Sequence, residues 1–220
     1  MKKLLSTIVA LAALGSVCLG TQAQEAKASP QAGEKKAAIC IGCHGISGYQ
    51  ASFPEIHKVP MISGQGAKYI VSALNAYKKG ERKHPTMKSI ATALNDQDMS
   101  DLAAFYEQQG KSVPAEAKAA PAPSEQVAKL LKQGNCSSCH GANYNTPIDG
   151  TYPKLGGQHA DYLFVALKAY QTTNNPQVGR SNAIMMGMAQ PFTHAQLKQL
   201  AQYLSSLPSD LHTVPQSRFR

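Results

Sequence analysis

The sequence predicts an all-α protein of two tandem lobes, each built on three main helices. Three observations lead there. A five-residue pattern, C-x-x-C-H, occurs at 40–44 and again at 136–140, 96 residues further on. The segments that follow each copy match one another, with apolar residues at helical spacing. Nothing between them shows the sustained two-residue alternation of a strand.

Taken in order, the chain opens with a leader. Lys2 and Lys3 precede an apolar run over residues 4–19, short for a bilayer span, and Thr21-Gln22-Ala23 offers small residues at the usual cleavage positions. Residues 1–23 therefore read as a signal peptide for export. Cys18 leaves with it, and the four remaining cysteines are all used by the two motifs. About 197 residues remain, which the repeat divides into domains at 24–110 and 125–208. Residues 111–124, rich in Pro, Ala and Lys, read as a semi-extended linker, and 209–220 as a loosely held tail. Lobes this small have thin cores, which a large buried apolar cofactor would fill.

In each half a first helix lies ahead of the motif, near 32–41 and 125–133. The second follows a Gly-Gln pair, Gly64-Gln65 or Gly157-Gln158. Its apolar stripe is Ile70, Ala73, Leu74 and Tyr77, matched by Leu163, Ala166, Leu167 and Tyr170, both spaced i, i+3, i+4, i+7. The third opens with a capping-box pattern, Asn95-Asp96-Gln97-Asp98 or Thr193-His194-Ala195-Gln196. Its stripe is Met99, Leu102, Ala103 and Tyr106 in the first half and Leu197, Leu200, Ala201 and Leu204 in the second. Gly110 and Pro208 read as stop signals.

C-x-x-C-H is the attachment pattern of a c-type haem. On a helix the two cysteines and the histidine project from one face. The thiols can then add to the two vinyl groups of one porphyrin while the imidazole reaches the iron. Two copies predict two covalently attached haem c groups, bound through Cys40, Cys43, Cys136 and Cys139, with His44 and His140 on the irons. A single zinc site of four thiolates would need no histidine after each pair. Thioredoxin-like redox pairs would want a βαβ setting that is absent.

The sixth iron position separates carriers from enzymes. Met87 lies 43 residues after His44 and Met185 lies 45 after His140, each eight residues before the last helix cap. Met87-x-x-Ile90-Ala91 aligns with Met185-x-x-Met188-Ala189, in what reads as a loop folding over the haem. Met186 and Met188 compete with Met185. Met99 belongs to a core stripe, and Met61 has no counterpart. His84, three residues before Met87, makes a bis-histidine site conceivable, although the second half has no equivalent histidine. His57, His159, His194 and His212 read as surface or capping residues. Pro60 and Pro153 precede the Gly-Gln pairs at equal distance, and each could offer a carbonyl to orient the ligating imidazole.

These residues together resemble the dihaem cytochromes c4, tandem class I cytochromes c of the bacterial periplasm. The likeness covers nearly the whole mature chain. It rests on both haem motifs, on Pro153-Lys154-Leu155-Gly156-Gly157-Gln158-His159, on the Met-x-x-x-Ala segments, and on Leu94-Asn95-Asp96-Gln97-Asp98 leading into Leu102-Ala103-Ala104-Phe105-Tyr106. It implies thioether bonds from the four cysteines and axial pairs of His44 with Met87 and His140 with Met185. It also implies a pseudo-twofold axis between lobes, with haem propionates turned toward the interface. Family members carry electrons from a quinol-oxidising complex to terminal oxidases, some loosely associated with the membrane surface. The first half departs with Pro60-Met61-Ile62-Ser63 ahead of Gly64-Gln65, and the second carries about five extra residues between Tyr170 and its methionine.

The formal charge of +9 falls to +7 without Lys2 and Lys3. That suits an acidic redox partner or a membrane surface. Dispersed lysines on an exported chain speak against nucleic acid. The expected function is a monomeric electron carrier with no catalytic residues. Its competitors are a dedicated cytochrome subunit of a periplasmic dehydrogenase, and a dihaem peroxidase or thiosulfate-type enzyme with one displaceable ligand.

Overall fold

The structure, a computed structural model, describes residues 27–111 and 119–215. The expected signal peptide and Cys18 lie outside the described residues, as does the middle of the expected linker. The chain between is helical, with ten helices among the described residues.

Helix α1 (Pro30–Lys36) starts where the Ser29 hydroxyl accepts the Ala32 N–H at 3.2 Å, with Pro30 in the first turn where its missing N–H costs nothing. The single helix expected over 32–41 is two. At Ala37, fully buried, the N–H turns back to the Glu34 carbonyl, a tighter i→i−3 bond, and α2 (Ala38–His44) restarts beyond it. Then come α3 (Ala67–Lys79), the short α4 (Pro85–Thr92) and the long α5 (Asp96–Lys111). The second lobe repeats the series as α6 (Glu125–Gln133), α7 (Ser137–His140), α8 (Ala160–Gln171), α9 (Ala183–Ala189) and α10 (His194–Ser205). Helix α1 crosses α5 in the first lobe, and α6 and α8 pack on α10 in the second. Both third-helix stripes face inward: Met99, Leu102, Ala103 and Tyr106, and Leu197, Leu200, Ala201 and Leu204, are all at most 4% exposed. Both capping boxes form. Asn95 and Asp98 exchange backbone-to-side-chain bonds, as do Thr193 and Gln196.

The α1–α5 crossing is held by charge inside the lobe. Asp101, 2% exposed, accepts from Lys36 Nζ at 2.7 Å, from the Ser29 N–H at 2.8 Å and from Gln97 Nε2 at 2.7 Å. Burial pushes its carboxyl pKa up, but these donors outweigh burial and hold it below the ordinary value. Its stabilisation is therefore whole above about pH 4 and is lost as pH falls through the lowered folded-state value. Asp101→Asn should cost about 2 kcal/mol at neutral pH, since charge-assisted bonds are the stronger kind. The deficit relative to the native protein should shrink in acid. Thermal melts at pH 7 and pH 3 check both, and equal losses at the two pH values would remove the charge from the account.

Among the described residues four two-residue strands complete the fold. Strands β1 (Gln50–Ala51) and β2 (His57–Lys58) form one antiparallel pair within the first lobe. Strands β3 (Arg82–Lys83) and β4 (Gly179–Arg180) form another between the lobes, with Arg82 opposite Arg180. Segments this short carry no alternation to read.

The lobes join through exchanged contacts. The Gln65 side-chain amide accepts the Lys154 N–H and donates to the Lys154 carbonyl, at 2.9 and 3.0 Å. Gln158 does the same to Met61, at 3.0 and 2.8 Å. Gln65 and Gln158 are repeat equivalents, and so are Met61 and Lys154, so swapping the lobes maps one clasp onto the other, the mark of an isologous interface. Ion pairs Lys168–Glu55 at 2.9 Å and Lys58–Asp161 at 3.8 Å flank them.

Two expectations need correcting. The segment after Pro208 is not loose as far as it is described. Leu211 is 5% exposed, the His212 N–H donates to the Ser63 carbonyl of the first lobe, and Lys154 pairs with Asp210 at 3.0 Å. Gly110 is not a stop, because α5 runs through it to Lys111. It is glycine because Gly64 passes so close that a Cβ on Gly110 would stand 2.1 Å from the Gly64 Cα.

Candidate functional site

Helix α2 presents Cys40, Cys43 and His44; α7, with Cys136 helical at its cap (φ −62°, ψ −36°), presents Cys136, Cys139 and His140. All four thiols are free and half-buried. Burial pushes the Cys40 thiol up to about 11, the Tyr106 hydroxyl beside it pulling weakly the other way, and raises Cys136 also. Cys40 and Cys136 are protonated thiols, not poised thiolates. Among the described residues no group of three or more His, Cys, Asp and Glu side chains is placed to hold a metal ion, so the four sulfurs do not converge on one centre.

Each histidine is oriented by a proline carbonyl. His44 Nδ1–H donates to the Pro60 carbonyl at 2.8 Å, and His140 Nδ1–H to the Pro153 carbonyl at 3.0 Å. That fixes the tautomer and leaves Nε2 as the free lone pair. Burial lowers the pKa of both imidazoles against the opposing pull of those carbonyls, so both are neutral, the form a metal binds.

Both motifs line one cavity of about 1160 Å³. Helices α3 and α8 contribute to its walls, with Ile70, Leu74, Leu163 and Leu167 among the apolar residues. A usual small-molecule pocket is roughly 300–1,000 Å³. A cavity above that range, apolar-walled and edged by two thiol pairs, fits two large planar apolar groups tethered through sulfur.

Met87 and Met185 line the same cavity, half-buried. They sit in helices rather than in the expected loops. Each is the third residue of a short helix, α4 or α9, and its N–H is capped three residues back, by His84 Nδ1 at 3.4 Å or Asn182 Oδ1 at 3.0 Å. His84 is thus the counterpart of Asn182, and its ring also packs edge-on against Phe53 with centroids 5.6 Å apart. Met188 reaches the cavity from an exposed position, whereas Met186 is not among its lining residues. His194 opens α10 and is exposed, and His159 precedes α8 without a side-chain cap bond. His57 departs from expectation. It is 5% exposed, with Nδ1–H donating to the Glu55 carbonyl and its ring stacked on Tyr162 of the other lobe at 6.2 Å.

Sequence reasoning missed the residues between the two centres, Gln65, Gln158, Arg82 and Arg180. A signal existed for all four. The Gly-Gln pairs repeat, and each arginine stands five residues before its methionine.

Two thiol pairs, each followed by an oriented histidine and each sharing its cavity with a methionine-bearing helix, define a dihaem c-type cytochrome. The cytochrome c family profile matches residues 31–109 and 124–208. Over 193 residues the chain is 31% identical to cytochrome c4 of Stutzerimonas stutzeri, covering 80% of this chain and 88% of that protein. The crystal structure of reduced recombinant cytochrome c4 from Pseudomonas stutzeri superimposes with a TM-score of 0.59 at 28% identity, covering 82% of this chain and 100% of that one. The chain belongs to the cytochrome c family, among the dihaem cytochromes c4, as an electron-transfer protein carrying two haem c groups. It is also 30% identical over 218 residues to a thiosulfate dehydrogenase electron acceptor of Stutzerimonas stutzeri strain A1501, covering 90% of this chain and 94% of that protein.

Proposed function

We propose that the protein works in the periplasm as a two-centre shuttle, taking electrons from a quinol-oxidising complex and delivering them to a terminal oxidase. In this reading His44 and Met87 would hold the first iron, and His140 and Met185 the second. The support is the paired placement of the methionines, each third in a capped helix that walls the cavity lined by its motif's histidine.

Haem iron, when bound, supplies one-electron chemistry. The chain's part is to keep that chemistry narrow. The proline carbonyls hold the imidazoles in one tautomer, so no proton must move at Nδ1 when an electron arrives. A methionine sulfur on each iron would favour the reduced state and shut out oxygen and peroxide. The apolar walls of α3 and α8 exclude water, and a site already full rearranges little. The positive net charge raises encounter rates with an acidic partner and favours loose contact with an anionic membrane surface. The carrier acts as a monomer.

The likeness to a thiosulfate dehydrogenase electron acceptor favours a second reading, in which the donor is a dedicated dehydrogenase. The axial residues would be unchanged.

A spectroscopic redox titration of the matured protein tests the ligand sets. Two low-spin haems per chain, both titrating at the positive potentials of His/Met iron, are expected. A high-spin ferric signal, or one haem titrating far lower, would mean an open site. Gentle purification separates the two donors: a stoichiometric dehydrogenase partner supports the second reading, and a lone monomer the first.

A further inference from the structure

The two lobes part company at a buried position on the cavity wall. Tyr106 on α5 and Leu204 on α10 are repeat equivalents in the fold as well as in the sequence. The Tyr106 carbonyl accepts the Gly64 N–H at 2.8 Å, and the Leu204 carbonyl accepts the Gly157 N–H at 2.9 Å. Both side chains are 4% exposed, and both line the cavity. Each packs with the first cysteine of its own motif, Tyr106 with Cys40 and Leu204 with Cys136. Leucine is an ordinary occupant of such a wall. Tyrosine brings a hydroxyl to it.

That hydroxyl has no partner. Tyr106 Oη is buried, and no group among the described residues meets it at hydrogen-bonding geometry. A buried phenol is normally placed where its O–H finds an acceptor. The ring is held edge-on to Phe105, with centroids 5.1 Å apart. Gln97, Gln199 and His212 also carry unpartnered buried atoms, but none of the three lines the cavity. What stands beside the Tyr106 hydroxyl is the Cys40 thiol.

The chemistry of attachment says when a partner appears. A free thiol is a weak donor and a weak acceptor. When Cys40 adds to a vinyl group, the C–S bond forms and the thiol hydrogen passes to the other vinyl carbon, so no oxidant is needed. The sulfur is then a thioether and can only accept. Any hydrogen bond between the two residues must run from Tyr106 to the sulfur.

We propose that Tyr106 is a positioning residue for the first redox centre alone, its O–H donating to the thioether sulfur of Cys40 and raising that centre's potential. A donor on this sulfur draws electron density from the cofactor, which disfavours the more positive ferric state; hydrogen bonds around the cofactor are one of the protein's levers on its potential. Leu204 offers Cys136 no such donor. Tyr144 packs near Cys136 but does not line the cavity. One hydroxyl thus makes two otherwise matched centres unlike. The proposal rests on the two-haem reading above.

The test is potentiometric titration of matured native and Tyr106→Phe proteins, with proton NMR of the haem methyl groups to assign each potential to its lobe. Phenylalanine keeps the ring and drops only the hydroxyl, so a packing role predicts no shift. The first potential should fall, the second should stay, and both haems should remain low-spin. A first potential that stays or rises, or a second that falls with it, in a variant holding two low-spin haems would overturn the Tyr106–Cys40 bond and leave the carrier reading standing. Missing haem or altered ligation in the native protein would instead count against the carrier reading. If the variant fails to mature, a crystal structure of the native holoprotein decides. Tyr106 Oη within hydrogen-bond distance of the Cys40 sulfur supports the bond, and Oη satisfied by water or by another group overturns it.

Discussion

Replacing Met87 by alanine should create one carbon monoxide site per chain where the native protein offers none, and should lower the potential of the first haem. The fold survives the change. Met87 is half-buried at the third position of α4, alanine is the best helix former, and the His84 cap bonds a backbone N–H that alanine keeps. Lost packing costs at most about 2 kcal/mol, the low end for Met→Ala, since the side chain is not fully enclosed. On the proposed ligand set the chemical effect is larger, because a soft sulfur that favours ferrous iron would be gone and its position open to exogenous ligands. Carbon monoxide difference spectra and a redox titration read both outcomes. Met185→Ala should behave likewise in the second lobe, and Met188→Ala should leave ligand binding unchanged. A Met87→Ala protein that binds no carbon monoxide and keeps its potential would end the assignment.

What could be read from the sequence is what local spacing encodes. The attachment motifs are five residues long, and the stripes of α5 and α10 recur over two turns. The proline carbonyls stand at matched distances from matched glycine–glutamine pairs. The helices carrying Met87 and Met185 were not legible, because eight and seven residues give too few turns for a period to show. Capping chemistry at their starts was readable in Asn182 and disguised in His84, since a histidine before a methionine invites a ligand reading. His57 was misjudged for another reason. What buries it is Tyr162, more than a hundred residues away on the other lobe, and no window along the chain contains both. The same holds for the Gln65 and Gln158 clasps. Their partners are backbone groups of the opposite lobe, visible only after the repeat is folded against itself.

Gly110 shows how far such a contact reaches. Isolated helices gain about 1 kcal/mol when glycine becomes alanine, and on that ground Gly110→Ala should stabilise α5. The opposite is expected. The added Cβ would stand 2.1 Å from the Gly64 Cα and 2.9 Å from its nitrogen, both backbone atoms that cannot swing aside. Gly64 cannot retreat either. At φ +88° it holds a left-handed conformation, and a Cβ of its own would meet the Asp210 carbonyl oxygen at 2.0 Å, so it is sandwiched between α5 and the second lobe's last segment. Overpacking of this kind costs roughly 1–3 kcal/mol. With no soft neighbour the upper value applies, about 3 kcal/mol, which outweighs the propensity gain and leaves a net loss near 2 kcal/mol. For a chain of this size the Tm should fall by roughly 4–8 °C. The displaced loop carries the Pro60 carbonyl that orients His44, Met61 in one clasp, Gln65 in the other, and Ser63 on the His212 bridge. The first haem should therefore show the disturbance in its spectrum before the second does. Melting curves and the two haem spectra, followed together, test this; a Gly110→Ala protein as stable as the native one would mean that α5 and the loop can part without cost.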